Sequence, residues 1–141
     1  MFKRLALSAA AIGLLAAPAA QADDHEREPA EITKGEKRLA KMLEGRVAGE
    51  PESCINTIGA RSLTKIDDTA LVYKRGDTIW VNYTKTPNAI DDSDYLVIRK
   101  FSGSQLCRTD QITTYSRAGN FFSGVIFLDD FIPYRMAEKE G

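Results

Sequence analysis

The chain has 141 residues, with 19 basic and 20 acidic side chains and a formal net charge of −1. That near balance argues against a strongly basic nucleic-acid or polyanion binder, and equally against an acidic disordered tail. Single domains commonly hold about 50–200 residues, so one folded domain is the expected scale.

Lys3 and Arg4 give the chain a positive start, Leu5 to Ala17 is an apolar stretch, and Ala20-Gln21-Ala22 places small residues where a signal peptidase cuts. This is the pattern of an export signal over residues 1–22, cleaved after Ala22. The apolar stretch is too short for an ordinary transmembrane helix. Losing Lys3 and Arg4 takes the net charge from −1 to −3. Residues 23–30, DDHEREPA, form a charged lead without apolar periodicity, expected to be mobile.

From Glu31 to Glu44 the pattern changes. Ile32, Leu39 and Leu43 recur at helical steps among Lys and Glu, which predicts an amphipathic helix. Thr33 and Glu36 have the spacing of a capping box, and Gly45 sits where a C-terminal cap belongs. Gly35 costs the helix about 1 kcal/mol relative to Ala, so the first turn is expected to fray.

After Pro51 the period shortens to two. Strands are predicted at residues 53–58, 62–66, 69–74, 78–83, 95–101, 111–116 and 121–128, with turn residues between them. A short edge piece is expected at 131–135, because Pro133 cannot donate to a central ladder. The last of the longer strands holds the longest apolar run after the signal and does not span a bilayer. The predicted class is α+β, mainly β: an N-terminal amphipathic helix followed by an antiparallel sheet rolled into a small barrel or sandwich. It makes a single β-rich domain over 31–135 with a C-terminal tail at 136–141.

Cys54 and Cys107 are the only cysteines. In an exported chain an even count points to a disulfide between them. Metal binding by this pair has neither a CxxC spacing nor a nearby His behind it. Buried side chains and a Cα–Cα separation of about 4.4–6.8 Å are the expected geometry.

The single histidine, His25, lies in the charged lead, where no rigid scaffold holds it for nucleophilic or metal chemistry. The acidic clusters are Asp67-Asp68, Asp91-Asp92 with Asp94, and Asp129-Asp130. Adjacent residues of an extended chain point to opposite sides, so no doublet forms a facing catalytic pair by itself. The run from Asp91 fails the EF-hand test, with Leu96 at position six and Ser102 at position twelve. Arg75-Gly76-Asp77 reads as ordinary turn chemistry, and Asn82-Tyr83-Thr84 is a glycosylation acceptor only in a eukaryotic source. Trp80 is expected opposite a core face of Ile79, Val81 and Tyr83. There it either packs against the helix or forms a ligand platform with Tyr73, Asn82 and Arg99. No catalytic, cofactor-binding or metal-binding residue is assigned, and no cofactor is expected.

Gly45-Arg46-Val47-Ala48-Gly49-Glu50-Pro51 followed by Cys54-Ile55, and Gly103-Ser104-Gln105-Leu106-Cys107 with Asp110, form two short motifs. With the leucine-bearing helix and the export signal, they resemble a family of small exported proteobacterial proteins whose domain has no assigned function. The resemblance spans about residues 36 to 135. It implies a Gram-negative periplasm and a β-rich fold, but no substrate and no catalytic residue. Many members carry two further cysteines that this chain lacks, which would leave Cys54 and Cys107 as each other's partners.

The leading functional expectation is a non-enzymatic envelope protein, a binding or structural module for an envelope protein or small ligand. No nucleic-acid partner and no transmembrane segment in the mature chain are expected. The alternative is a carboxylate-dependent hydrolase acting on an envelope polymer. A third reading is a barrel holding a small apolar ligand.

Overall fold

Thr33 starts helix α1 (Lys34–Met42) by the capping box the sequence predicts. Its hydroxyl accepts from Glu36 N at 3.1 Å, and the Glu36 carboxylate accepts from Thr33 N at 2.7 Å. Both bonds join residues three apart, so local chemistry alone sets them. The helix ends earlier than expected, with Leu43 as C-cap, and Gly45 takes a left-handed φ of 72° in the turn beyond. The computed structural model describes residues 31–58 and 63–139. The export signal, its cleavage after Ala22, the lead at 23–30 and the first residue of the strand predicted at 62–66 lie outside the described residues.

Among the described residues ten strands follow α1: β1 (Arg46–Ala48), β2 (Cys54–Asn56), β3 (Thr64–Ile66), β4 (Ala70–Arg75), β5 (Thr78–Asn82), β6 (Asp94–Arg99), β7 (Gln105–Cys107), β8 (Gln111–Ser116), β9 (Phe122–Phe127) and β10 (Ile132–Met136). All pairings are antiparallel. They form a five-stranded sheet in the order β1-β10-β5-β4-β3, a pair β2-β7, and a three-stranded sheet β6-β8-β9. The class is therefore mainly β with one helix, as the sequence predicts, but the strands do not close into a barrel. Closure would require the outer strands β1 and β3 to pair onward. Each is three residues long, and β2 pairs with β7 instead.

β10 is an inner strand, not the edge expected from Pro133. Pro133 lies opposite Trp80 of β5, and its carbonyl accepts from Gly49 N at 2.7 Å. A residue's N–H and C=O point to the same side of a strand, so the missing donor faces Gly49, just past the end of β1. The β5–β10 ladder loses nothing by it. The predicted C-terminal tail also yields its first residue, Met136, to β10, where it pairs with Arg46.

Two apolar clusters hold these pieces. Alternation along β4 and β5 sends Ala70, Val72, Ile79 and Val81 to one face, where they meet Leu39 of α1 and Ile66. Leu71, Tyr73 and Trp80 go to the other face. There they join Ile55, Leu106, Ile112, Ile126 and Phe131 from the remaining sheets and the loop before β10. Tyr83, expected on the core face with Ile79 and Val81, falls just past β5 and is 39% exposed.

Candidate functional site

Period-two alternation divides the three-stranded sheet into an inner and an outer face. Ile112 and Ile126 point inward to the core, with Leu96 and Ile98 packed beside them. The residues of opposite phase pair in cross-strand rows: Tyr95 with Tyr115, Val97 with Thr113 and Arg99 with Gln111 between β6 and β8. β9 extends these rows with Val125 beside Thr113 and Phe127 beside Gln111. A register shift between Thr114 and Tyr115 then places Phe122, rather than Ser123, opposite Tyr115. One extra residue in β9 thus turns a phenylalanine from the inner phase to the outer face.

The result is an aromatic row across the sheet. The Tyr95 and Tyr115 rings stack with centroids 5.6 Å apart, and Phe122 meets Tyr115 edge-on at 6.0 Å. Phe122 and Phe127 remain 57% and 58% exposed. Beyond the Gln111–Phe127 row lies a shallow groove of about 360 Å³, lined by Lys85, Phe101, Arg108, Gln111, Val125 and Phe127. Lys85 is held at the β9 edge by its backbone N–H, which donates to Phe127 O at 2.8 Å. Arg108 pairs with Asp130 at 3.1 Å.

The platform residues expected from the sequence do not all meet here. Arg99 stands on the outer face of the three-stranded sheet. Trp80 and Tyr73 are cross-strand neighbours on the five-stranded sheet and pack against the core. The Trp80 indole N–H donates to Glu52 at 2.9 Å. The helix covers the opposite face of that sheet, against Ile79 and Val81. Asn82 is fully buried: its amide donates to Asp129 O at 2.6 Å, and its oxygen accepts from Thr84 N and Asp129 N, both at 3.0 Å. That buried amide fixes the chain after β5, where Thr84 adopts a φ of 52°, unusual for a β-branched residue.

The acidic clusters are structural in their contacts. Lys65 inserts its ammonium among the carbonyls of Asp91 (2.8 Å), Asp92 (3.0 Å) and Asp94, so a tethered cation already occupies the loop's converging oxygens. The Asp91 carboxylate accepts from the Ser93 hydroxyl and N–H at 2.6 and 2.7 Å, and these bonds hold its pKa below the usual carboxylate value. Asp67 accepts from Asp92 N, Asp129 from Asp130 N, and buried Asp110 from Phe101 N and Cys107 N. Among the described residues, no group of three or more His, Cys, Asp or Glu side chains is placed to hold a metal ion. Arg75-Gly76-Asp77 turns β4 into β5, with Gly76 at φ 56° and the Asp77 carbonyl accepting from the Arg46 guanidinium.

The disulfide forms as expected between Cys54 and Cys107, which face each other across β2 and β7. Their Cα atoms are 4.0 Å apart, closer than the expected 4.4–6.8 Å, and both residues are half-buried rather than enclosed. Register explains the short distance. Arg108 N donates to Ser53 O and Thr57 N to Ser104 O, and alternation from these two pairs makes Cys54–Cys107 a non-hydrogen-bonded pair, the closer type in antiparallel sheets.

Sequence reasoning missed Tyr95, Tyr115, Phe122 and Phe127 as a surface. Tyr95 and Tyr115 were legible only as members of their strands. In the apolar run at 121–128, broken by Ser123 and Gly124, no alternation reveals which side faces water, and the register shift at Phe122 leaves no local mark. No family model matches this chain, nor does any curated protein or solved structure.

Proposed function

We propose that the protein is an exported, non-enzymatic binding module of the bacterial envelope, and that it docks its partner on the outer face of the β6-β8-β9 sheet. The observation that carries this reading is the aromatic row Tyr95–Tyr115–Phe122, arranged ring to ring and open to solvent at Phe122. Aromatic side chains offer large contact area at low entropic cost, which suits them to recognition. The carboxylates favour binding over hydrolysis. Asp67, Asp91, Asp110 and Asp129 each accept backbone N–H groups, a turn-building role rather than that of a facing acid–base pair. The Cys54–Cys107 disulfide is compatible with an oxidising compartment, and the export pattern at 1–22 and the resemblance to small exported proteobacterial proteins support the periplasm.

The test compares the tagged wild-type chain with Tyr115→Ser and Phe122→Ser variants, each recovered from the native envelope and analysed for co-purifying molecules by mass spectrometry. A molecule retained by the wild type and lost from both variants is the expected result. Identical profiles from all three proteins would overturn this face as the binding surface.

A further inference from the structure

The charges around the aromatic face are segregated in a way the whole-chain balance hides. Between Tyr95 and Leu128 the sequence holds four basic residues, Arg99, Lys100, Arg108 and Arg117, and one acidic residue, Asp110. Asp110 is only 5% exposed, and its carboxylate is spent on two backbone amides. Every solvent-facing charge of this 34-residue stretch is therefore positive, in a chain whose net charge is −1. Lys85 adds a further cation at the β9 edge.

The apolar groups reach outward within the same region. Phe101 is 88% exposed in the loop after β6 and borders the groove with Phe127. Phe121, 61% exposed, precedes β9 at the far end of the sheet, beside Phe122. Phenylalanine has no hydrogen-bonding group, so its exposure is most readily offset by an apolar medium. Asp130 neutralises Arg108 at the groove, which leaves Arg99 and Lys85 as its cationic excess. A surface with protruding phenylalanines and an excess of positive charge matches a bilayer interface with anionic headgroups, where rings enter the acyl boundary and Lys and Arg meet phosphate.

We infer that the partner of the β6-β8-β9 face is an anionic lipid surface, which the protein contacts peripherally through Phe101, Phe122 and Phe127 with Arg99 and Lys85 on the headgroups. This inference rests on the binding-module reading and names its occupant. A second copy of the chain fits less well. In a two-fold pair this face would meet itself and set its excess cations against like charges. A glycan would use the hydrogen-bonding groups among the rings, here Thr113 and Gln111, but would leave the protruding Phe101 and Phe121 in water.

The experiment is sedimentation of the chain from Asp23 onward with vesicles of phosphatidylcholine alone and of phosphatidylcholine with about a third phosphatidylglycerol. Expected are preferential binding to the anionic vesicles by about tenfold or more and weakening as salt rises. Phe101→Ser and Phe127→Ser should each reduce partitioning by about fivefold to tenfold, the value of withdrawing most of a Phe ring from the interface. The double variant Arg99→Gln/Lys85→Gln should lose the preference for anionic vesicles. Trp80 emission and the thermal midpoint report whether each variant is folded, and Lys74→Gln on β4 is a control expected to bind as wild type does. Equal sedimentation with both vesicles, or full binding by the folded phenylalanine variants, would overturn the inference. If vesicles fail while a co-purifying protein still depends on Tyr115, only the lipid assignment falls. If both assays are unaffected by the face, the binding-module reading falls with it.

Discussion

At the scale of single residues, Asp110 shows how a buried charge is justified. Its two oxygens take Phe101 N at 2.9 Å and Cys107 N at 2.7 Å, tying the chain after β6 to the end of β7. Removing it strands two amide donors, and hydrogen bonds to a charged group are worth about 1.5–3 kcal/mol each. Asp110→Ala should therefore destabilise by about 3 kcal/mol in urea unfolding, and Asp110→Asn by less, because one acceptor survives. Tyr83 carries a different lesson. Burial first, and then the hydrogen bond with the Tyr134 hydroxyl at 2.8 Å, push its phenol far above the ordinary value of 10.0. A group with a raised folded-state pKa contributes stability that is complete below its unfolded pKa and is lost as pH climbs from there towards the folded value. Stability should thus fall as pH rises above about 10, and Tyr83→Phe should flatten that fall. Alkaline titration of the unfolding midpoint measures both; an unchanged slope in Tyr83→Phe would locate the alkaline sensitivity elsewhere, Tyr73 being the other phenol that burial raises.

At the scale of elements, α1 separates local propensity from tertiary demand. Propensity alone says Gly35→Ala should stabilise the helix by about 1 kcal/mol. The fold reverses the sign, because a Cβ at Gly35 would lie 2.0 Å from Thr69 Oγ1 and 2.6 Å from Asp67 O. Gly35 is where the helix touches the turn between β3 and β4, and backbone cannot step aside as a side-chain tip can. Gly35→Ala should lower stability by about 1–3 kcal/mol, as overpacking does elsewhere. Leu39 is the helix residue that is fully committed to the core, at 5% exposure, while Leu43 is half-buried. Leu39→Ala should cost about 2–5 kcal/mol and Leu43→Ala clearly less. The same contrast explains what the sequence made legible. The capping box and strands β4, β5, β6 and β8 rest on contacts or alternation within a few residues, and they are found where the pattern puts them, within two residues at either end. β1 and β7 were not legible: each is three residues long, and the Gly and Ser residues beside them, Gly45 and Gly49 for β1 and Ser102 to Ser104 for β7, read as turns. The inner position of β10 was also hidden, because strand order is decided by pairing with β1 and β5, more than fifty residues earlier in the chain. The outer aromatic row was hidden for both reasons, since it needs the pairing of β8 with β9 and an unannounced shift in that pairing.

For the whole molecule, the question is what keeps β2 and β7 together. A two-stranded ladder of three pairs is marginal by itself. Its central pair, Ile55 and Leu106, is 2% and 1% exposed and belongs to the cluster that joins the sheets, so this small ladder closes one side of the core. The disulfide sits one pair away and fixes the register, because slipping by one residue would turn Ile55 and Leu106 away from the core. It spans a sequence separation of 53, for which loop-closure entropy gives an upper figure of about 4 kcal/mol. The double variant Cys54→Ala/Cys107→Ala should therefore lose about 2–4 kcal/mol in denaturant unfolding. The single variants should lose at least as much, since each leaves a lone thiol at the rim of the core. Alkylation of the unreduced protein should label no thiol, and hydrogen exchange in the double variant should rise first at Ile55 and Leu106 rather than in β4 and β5. A loss below about 1 kcal/mol, with exchange at Ile55 unchanged, would mean that apolar packing alone holds the ladder and that the cross-link is incidental to the fold.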